Sequence, residues 1–424
     1  MNKHRANNKN ADYNLVVDNW VLSASQTRFG GHNFYYDSTW FVTLVWILCI
    51  GFIMLSSASM AIANHYYHNQ FYFIIRQAVF LLITISSCVM VLHVPVKEWQ
   101  QWSGHLILLS FILLILVLVP GIGATINGSS RWINLRVISL QVSELVKIAV
   151  VLYVASYLVR HRFRLGDFGG FIRPLCILGL LAALLLLEPD FGSTVVIGAT
   201  MFSMMFLGGA RILQFVVVLC TIVLAFVLIA VVSPYRLARI TSFLNPWEQA
   251  FGSGYQLTQA LIAFGRGGWF GTGLGHSIQK LFYLPEAHTD FLFAVFAEEF
   301  GVVGQLGLLF CFGLVFYRGM RTAYMAAILN EWYICYVVSG LSINLGIQVL
   351  INIGVNVGLL PTKGLALPFV SYGGSNLLFN AIGMAIVARG YNDLCVLQLA
   401  NNQAVVNRRY PDLVFDNDGN IRVG

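Results

Sequence analysis

The sequence predicts an all-α integral membrane protein with about ten transmembrane helices and a large extracytoplasmic loop between the seventh and eighth helices. The first observation is composition: the 424 residues are 58% hydrophobic and only 10% charged, with a mean hydropathy of +0.75. A soluble domain has about 25% charged residues. The second observation is a series of apolar runs of roughly 20 residues, the length that crosses a bilayer.

The apolar runs give the predicted spans directly. They are separated by charged residues or by clusters of proline and glycine. Glu188-Pro189-Asp190 divides one long apolar stretch into two short spans, because proline interrupts the hydrogen bonds of a helix. The predicted spans cover residues 40 to 62, 71 to 92, 104 to 120, 142 to 159, 173 to 188, 190 to 209, 212 to 233, 291 to 317, 332 to 359 and 376 to 397.

Lys and Arg are concentrated in alternate connecting segments, a bias that marks the cytoplasmic side of a membrane. The sequence therefore predicts a cytoplasmic N-terminal tail at 1–37, a membrane domain at 38–397 with its extracytoplasmic loop at 233–290, and a cytoplasmic C-terminal tail at 398–424. The N-terminal tail has one apolar patch, residues 15–22. This patch fits either partial disorder or a segment that docks on a partner.

The charge and cysteine content exclude two other classes of protein. The net charge of +7 follows from the topological bias, and no basic stripe with interleaved aromatic residues indicates nucleic-acid binding. All seven cysteines lie within or at the ends of predicted spans, without the spacing of a metal site. We interpret them as small apolar residues in lipid or helix contacts.

The predicted extracytoplasmic loop, 233–290, is rich in aromatic residues, which favour the membrane surface. It has eight glycines between Gly252 and Gly275. Glycine-rich backbone can approach a ligand closely and direct its N–H groups toward an anion. The loop therefore fits either a phosphate or pyrophosphate site or a flexible surface segment. Its candidate anion-binding side chains are Arg236, Arg239, Arg266 and Lys280.

Asp290 begins the predicted eighth span, directly after this loop. A helix N-terminus lowers the pKa of a carboxyl group and an apolar pocket raises it. An ionised Asp290 beside a substrate hydroxyl can act as a general base. The alternative is an interfacial aspartate that caps the helix.

Several other ionisable residues lie in or beside predicted spans, where each charge needs a partner or a function. Glu144 and Lys147 share one helix face, either as a neutralising pair or as the lining of a polar cavity. Adjacent Glu298 and Glu299 point about 100° apart, so at most one faces a site with Asp290, and we interpret both as structural.

Histidines and further charges are weaker candidates. No carboxylates stand at a regular spacing from His276 and His288. We therefore interpret both histidines as hydrogen-bonded polar residues rather than as metal ligands or proton carriers. We expect Glu286 and His288 to shape or hydrate the site around Asp290. Lys363 stands in a short outer loop with glycines and proline.

Five stretches of the sequence resemble the SEDS family of bacterial shape, elongation, division and sporulation proteins. They occur in the family's order from the first span to the last, which makes the resemblance specific. Residues 263–291 are more similar to the cell-division member than to the elongation member. The stretches are INGSSRWI (Ile126–Ile133), QVSELVK (Gln141–Lys147), EPDFGS (Glu188–Ser193), NPW (Asn245–Trp247) with FGSGYQLTQALIAFGRGGWFGTGLGHSIQKLFYLPEAHTDF (Phe251–Phe291), and LPTKGLALPFVSYGGSN (Leu360–Asn376).

The resemblance implies a ten-helix peptidoglycan glycosyltransferase that polymerises lipid II on the outer face of the membrane. In that reaction the GlcNAc 4-hydroxyl of one unit attacks the MurNAc C1 of another, giving an inverted β-1,4 link and expelling undecaprenyl pyrophosphate. The family's catalytic aspartate falls on Asp290, and its central-cavity charges fall on Glu144, Lys147 and Asp190. Val142 stands where the family usually has proline, which predicts a straightened or shifted helix start before Glu144.

Basic residues near the loop are candidate contacts for pyrophosphate or sugar, because a departing pyrophosphate needs its developing charge stabilised. The predicted substrate-binding candidates are Glu144, Lys147, Asp190, Arg266, Lys280, Lys363, Arg131 and His288. No carboxylate cluster indicates a metal site. A divalent cation that neutralises the pyrophosphate stays an open alternative.

The resemblance also implies a location and partners. The expected location is the bacterial inner membrane at the division septum. The expected partners are the class B penicillin-binding transpeptidase of the septum and other divisome membrane proteins. Two other functions stay open: a lipid II flippase with Glu144, Lys147 and Asp190 along its route, since transporters also use charges at the midplane, and a non-catalytic scaffold that activates the transpeptidase.

Overall fold

The computed structural model describes most of the chain between residues 24 and 423. The described residues are 24–29, 32–121, 123–126, 129–134, 139–162, 165–218, 220, 246–248, 250–252, 254–361, 364–409, 413–415 and 421–423. They form a bundle of helices with three short antiparallel sheets. The predicted class, a helical integral membrane protein, is confirmed.

Most helices coincide with predicted spans and differ from them mainly at their ends. The third and eighth are longer than predicted because the turns at their predicted cytoplasmic ends carry charged residues, which hydropathy excludes from a span. The helices are α1 (Ser38–Tyr67), α2 (Tyr72–His93), α3 (Val96–Leu118), α4 (Val142–Arg160), α5 (Phe168–Leu187), α6 (Phe191–Leu207), α7 (Tyr255–Gly267), α8 (Leu292–Ile328), α9 (Trp332–Asn356) and α10 (Gly374–Arg409).

Two residues, Pro189 and Asp190, define the boundary between α5 and α6. Pro189 separates α5 from α6, as expected from its place in the apolar stretch. Asp190 caps α6, accepting a hydrogen bond from Ser193 N at 3.2 Å. Val142 is the first residue of α4, the position that tolerates proline. The straightened or shifted helix start, which is defined relative to family members with proline at this position, stays a prediction.

Within the described residues, seven helices are long and apolar enough to cross a membrane, and α6 is a shorter apolar helix. Residues 212–218 are also helical. The rest of the predicted seventh span, and the loop as far as residue 245, lie outside the described residues. The total of ten spans and the extent of the loop therefore stay predictions.

The three sheets were not predicted, because their strands are short and their pairing depends on the surrounding helices. The hairpin at 25–36 occupies part of the tail for which partial disorder was one interpretation; the apolar patch at 15–22 lies outside the described residues. The sheets are formed by β1 (Ser25–Phe29) with β2 (His32–Tyr36), by β3 (Gly123–Ile126), β4 (Ser129–Asn134) and β5 (Ser139–Gln141), and by β6 (Leu413–Phe415) with β7 (Ile421–Val423).

The centre of the bundle is formed by α4 and α9. In the most apolar 18-residue stretch of each helix, 83% of the residues are buried in α4 and 67% in α9, against 22% in α2. An apolar helix with few buried residues leaves its surface to lipid, whereas α4 and α9 are surrounded by protein. Charges on α4 therefore lie in the middle of the bundle.

Polar contacts join segments of the same predicted face. On the inner face Lys97 pairs with Glu331 at 3.0 Å and Arg318 pairs with Asp37 at 3.1 Å. On the outer face Tyr372 N donates to the carbonyl oxygen of His288 at 3.0 Å. The last contact joins the outer segments that follow α7 and α9.

Candidate active site

Asp290 lies immediately before α8, and two asparagines of α9 hold its backbone. The side-chain amides of Asn352 and Asn356 both donate to the carbonyl oxygen of Asp290, each at 3.0 Å. Residues four apart share one helix face, so these amides reach the same atom. The start of α8 is thereby fixed to α9, and the carboxyl group of Asp290 has a defined position at the predicted outer face.

Gly364 and Arg131 border the carboxyl group of Asp290. A Cβ atom built at Gly364 would lie 3.3 Å from Oδ2 of Asp290 and 3.8 Å from Nη1 of Arg131. Asp290 keeps partial exposure and Gly364 is exposed. The absence of a side chain at Gly364 therefore leaves an approach to the carboxylate from the outside.

Arg131, from β4, joins the sheet to the turn between α5 and α6. Its Nε donates to the carbonyl oxygen of Glu188 at 3.2 Å, and its Nη2 donates to the carbonyl oxygen of Pro189. Its Nη1 lies 3.9 Å from Oδ1 of Asp190. The planar guanidinium is fixed by these contacts, and its positive charge is presented between Asp190 and Asp290.

The surroundings of Asp290 raise the pKa of its carboxyl group to about 7. Burial is the largest cause, followed by the negative charge of Glu286, while Arg131 acts in the opposite direction. A smaller rise comes from Asp190. A base whose pKa lies near the operating pH is well matched to removing a proton from a hydroxyl group.

Glu188 and Asp190 bring two more carboxyl groups to the same turn, each with 1% of its surface exposed. Neither oxygen of Glu188 has a hydrogen-bond partner among the described residues, nor has Oδ2 of Asp190. Burial and the charge of Asp190 raise the pKa of Glu188 to about 8, against the effect of Arg131. Glu188 is therefore mostly protonated at neutral pH, which limits the negative charge at this turn.

Glu286 and His288 flank Asp290, as expected for residues that shape the site. Glu286 accepts a hydrogen bond from Thr289 Oγ1 at 2.6 Å. The His288 ring lies 4.7 Å from Phe73 and 5.9 Å from Tyr372, centroid to centroid, and burial lowers its pKa. A neutral, aromatic-packed His288 forms a wall of the site rather than a charged contact.

Glu144 and Lys147 form a buried cluster in the middle of the bundle. Nζ of Lys147 lies 2.8 Å from Oε1 of Glu144 and 2.9 Å from Oε1 of Gln348. Asn376 and Asn380 continue this hydrogen-bond network. The adjoining cavity is about 10 Å³, roughly the space of one water molecule. The two charges neutralise each other, and the cavity in this conformation is too small for a sugar or a phosphate.

Arg266 and Lys280 lie in ion pairs that attach the loop to α8. Arg266 Nη1 is 3.1 Å from Oε1 of Glu298, and Lys280 Nζ is 2.7 Å from Oε1 of Glu299. Both glutamates are fully buried. Our structural interpretation of Glu298 and Glu299 agrees with these contacts.

Further hydrogen bonds complete the attachment of the loop. Glu298 accepts from Ser277 Oγ at 2.5 Å and from the backbone N–H of residues 278 and 279, at 3.0 and 3.3 Å. Lys280 also reaches Ser57 Oγ of α1 at 2.8 Å. The glycine-rich part of the loop is therefore held against the protein by two adjacent carboxylates.

α8 is interrupted where this loop contacts it. Gly301 has φ 63° and ψ −165°, which breaks the helix. The carbonyl oxygens of Glu298 and Glu299 accept instead from the N–H groups of Thr272 and Gly273, at 2.9 and 3.0 Å. Loop backbone thus satisfies the helix carbonyls, as a broken membrane helix requires.

The structure thus divides the predicted site residues into three groups. Arg131, Asp190 and His288 surround Asp290, whereas Glu144 with Lys147 lie deeper and Arg266 with Lys280 anchor the loop. Lys363 lies outside the described residues. Asn352 and Asn356 were missed, although two asparagines one turn apart in an apolar span, INIGVN, are a recognisable signal. Among the described residues no group of three or more His, Cys, Asp or Glu side chains is arranged to hold a metal ion.

The fold and site together define a multi-pass membrane protein with an acidic site at one membrane interface. A family model described as cell cycle protein, for FtsW, RodA and SpoVE, matches residues 38–392. This match covers most of the chain, and the chain belongs to that family.

Curated relatives and solved structures agree with the family. The chain is 50% identical over 355 residues to a Coxiella burnetii protein named "Probable peptidoglycan glycosyltransferase FtsW", covering 84% of this chain and 95% of the relative. A Legionella pneumophila protein of the same name is 48% identical over 356 residues, covering 84% of this chain and 90% of the relative.

Two solved structures share the fold. A chain of a peptidoglycan synthase complex, studied for the coordination of polymerization and crosslinking, has a TM-score of 0.70 at 27% identity, covering 85% of this chain and 98% of that one. The rod shape determining protein RodA of Thermus thermophilus has a TM-score of 0.61 at 28% identity, covering 84% and 97%.

Proposed function

We propose that this chain is the peptidoglycan glycosyltransferase of cell division and that Asp290 is its catalytic base. It polymerises lipid II into β-1,4-linked glycan strands at the outer face of the inner membrane, at the septum. Family membership and the names of its curated relatives support the activity. The observation that carries the role of Asp290 is its position: a carboxyl group with a pKa near 7, on a backbone held by two asparagines, open to the outside at Gly364.

The proposed reaction needs one proton acceptor. Asp290 removes the proton of the GlcNAc 4-hydroxyl while that oxygen forms a bond to C1 of MurNAc. The bond between C1 and the pyrophosphate oxygen breaks, and its electron pair leaves with undecaprenyl pyrophosphate. Attack opposite to the leaving group inverts C1 and gives the β link.

The pyrophosphate gains negative charge as it leaves, and fixed positive charge nearby stabilises it. Among the described residues, Arg131 lies beside the Asp290 carboxyl group, and its fixed guanidinium supplies this stabilisation. Arg266 has 38% of its side chain exposed and can also contact a phosphate, whereas Lys280 has 8% exposed and is enclosed by its ion pair. We therefore assign Arg131 to the substrate and Lys280 to the loop anchor, while Arg266 belongs to the anchor and keeps an exposed part that a phosphate can reach.

The test compares wild type with Asp290→Asn, which keeps the shape of the side chain and removes the base. Each protein is reconstituted with its transpeptidase partner, supplied with lipid II, and assayed for glycan polymer on gels. We expect a loss of roughly 100-fold or more. Asp167→Asn, at an exposed position before α5, is the matched control. Undiminished polymerisation by folded Asp290→Asn would remove the assignment.

A partner is part of the proposal. The related synthase complex joins polymerization with crosslinking, and we propose a class B penicillin-binding transpeptidase as the partner of this chain, with other divisome proteins. Co-purification of the two chains from the membrane tests the pairing. Failure of the transpeptidase to co-purify or to raise polymerase activity would argue against it.

Two alternatives and one cofactor prediction have separate tests. If the chain is a flippase, labelled lipid II becomes accessible on the far leaflet of liposomes in a protein-dependent way. If it is only a scaffold, Asp290→Asn leaves glycan synthesis unchanged while the transpeptidase stays bound. Polymerase activity after EDTA treatment tests whether a divalent cation assists the pyrophosphate.

A further inference from the structure

A second cavity lies at the opposite, predicted cytoplasmic end of the bundle. Its volume is about 300 Å³, at the lower end of the roughly 300–1,000 Å³ range of ligand pockets. The β1–β2 hairpin covers it, and the start of α1, the end of α2 and the inner parts of α8 and α10 form its walls. Its lining is mainly apolar, with Phe34, Trp40, Leu92, Val387 and Ala388 among the residues.

The mouth of this cavity belongs to the lipid-facing surface. Phe41 lines the cavity, and 53% of its surface is exposed. The next exposed residues of α1, Val42, Val45 and Trp46, are all apolar. A surface of this kind, on a helix long and apolar enough to cross a membrane, is in contact with acyl chains. Lipid therefore has direct access to the cavity.

Two polar features of the cavity wall fit a lipid headgroup region. Trp40 has 7% of its surface exposed, and its indole N–H has no acceptor among the described residues. A buried donor of this kind needs an acceptor, because leaving it unpaired is unfavourable. Arg318, Arg321 and Asp37 all act electrostatically on Tyr391, which lines the cavity. Because Arg318 pairs with Asp37 at 3.1 Å, the positive charge of Arg321 is left over, and it favours an anionic group.

We propose that this cavity binds one acyl chain of an anionic phospholipid of the cytoplasmic leaflet. The chain occupies the apolar interior, an ester oxygen accepts a hydrogen bond from Trp40 Nε1, and the phosphate lies near Arg321. Cytoplasmic leaflets carry anionic lipids, which attract basic residues at this depth. The site is independent of the proposed glycosyltransferase reaction at the other face.

The test measures lipid retention by the full-length protein. Purified protein in detergent is titrated with phosphatidylglycerol or phosphatidylcholine, and bound lipid is counted by native mass spectrometry. Ala388→Phe fills the cavity. Loss of contact with even two methylenes lowers affinity roughly tenfold, so we expect at least that decrease. Val396→Phe, at an exposed position on the same helix, adds the same ring outside the cavity and leaves retention unchanged.

A second variant protects the test against misfolding. Trp40→Phe keeps an aromatic ring in the wall and removes the N–H, so we expect retention to fall about fivefold, the effect of one hydrogen bond. Equal retention by wild type, Ala388→Phe and Trp40→Phe would overturn the proposal. Equal retention of phosphatidylcholine and phosphatidylglycerol by wild type would overturn its anionic part.

Discussion

The ammonium group of Lys280 lies 2.7 Å from a carboxylate oxygen of Glu299, and 8% and 0% of these two side chains is exposed. A buried ion pair of this kind joins the loop before the active site to α8. Removing one partner leaves the other charge buried without compensation, which costs about 3–5 kcal/mol. We expect Lys280→Met to lower the free energy of unfolding by an amount in that range.

The control for this experiment is a variant of an exposed ion pair at the predicted inner face. Lys97 pairs with Glu331 but has 64% of its side chain exposed, and such pairs contribute about 0–1 kcal/mol after solvent screening. Lys97→Met is therefore expected to leave the melting temperature nearly unchanged. The double variant Lys280→Met with Glu299→Gln should regain part of the lost stability. Equal melting temperatures for Lys280→Met and Lys97→Met would contradict the anchoring role.

The rate of polymerisation should rise with pH through about 7. The proposed base, Asp290, can accept a proton only when ionised, and its pKa is raised to about 7 by burial and by Glu286. Activity is therefore low below the pKa and reaches a plateau above it. Glu286→Gln removes a negative charge that raises this pKa, so the rising limb should move to lower pH. The measurement is kcat/KM against pH for both proteins. If the rising limb lies at the same pH in Glu286→Gln as in wild type, another group titrates.

Asp290→Asn should be more stable than wild type at high pH. The folded-state pKa of about 7 lies above the ordinary value of 3.8, so ionisation disfavours the folded state as pH rises through this interval. Asparagine does not ionise, and the gain should be roughly 1–4 kcal/mol above pH 7 and vanish below pH 4. Thermal melts at pH 4 and pH 8, near the two ends of this interval, measure it. A variant less stable than wild type at pH 8 would contradict this account.

Gly301→Ala should disrupt the attachment of the loop to α8. A Cβ there would lie 2.4 Å from Gly271 N and 2.6 Å from the carbonyl carbon of Trp269, and φ is 63°. Both the contact and the left-handed backbone exclude alanine. Gly313→Ala is the matched control in the same helix, since a Cβ there meets nothing within 4 Å. We expect proteolysis of the loop to accelerate only in Gly301→Ala.

Gly364→Leu should block the approach to Asp290 without unfolding the protein. Gly364 is exposed and its φ lies outside the left-handed region, so a side chain is compatible with the backbone, but its Cβ would lie 3.3 Å from Oδ2 of Asp290. A leucine there occupies the space that an acceptor hydroxyl needs. We expect at least a tenfold loss of polymerisation with an unchanged melting temperature. Full activity in Gly364→Leu would show that substrate approaches from another side.

Much of the fold could be predicted from the sequence, because a membrane span is recorded locally in a run of apolar residues. Pro189 marked the division of α5 from α6 for the same local reason. The strands at 25–36 and 123–141 could not be predicted, since each is stabilised by contacts distant in sequence, such as Tyr35 N with Asn392 Oδ1 at 2.9 Å. α3 begins before its predicted start at residue 104 because Lys97 and Glu98 lower the hydropathy of its first turn.

The candidate site, too, could be predicted only where the signal is local in the sequence. Asp290 stood out because it is a carboxylate at the junction of a polar loop and an apolar run. Arg131 was a candidate only through its motif, since its contacts with residues 188 and 189 depend on how β4 folds back over the bundle. Arg266 and Lys280 were expected near phosphate, yet their glutamate partners lie 32 and 19 residues away in sequence. The positive charge of these two side chains predicts that each needs an anionic partner. It does not identify that partner as a buried glutamate of α8.

The position of α9 gives the protein a mechanical linkage between the two sides of the membrane. Its 25 residues extend about 37 Å without a break. At its predicted cytoplasmic end Trp332 lies against Arg162, with the guanidinium carbon 3.4 Å from the ring centroid. At its other end Asn352 and Asn356 carry the backbone of Asp290. Under the proposed function, a protein that displaces the Trp332 end of this helix would therefore also displace the backbone that carries Asp290.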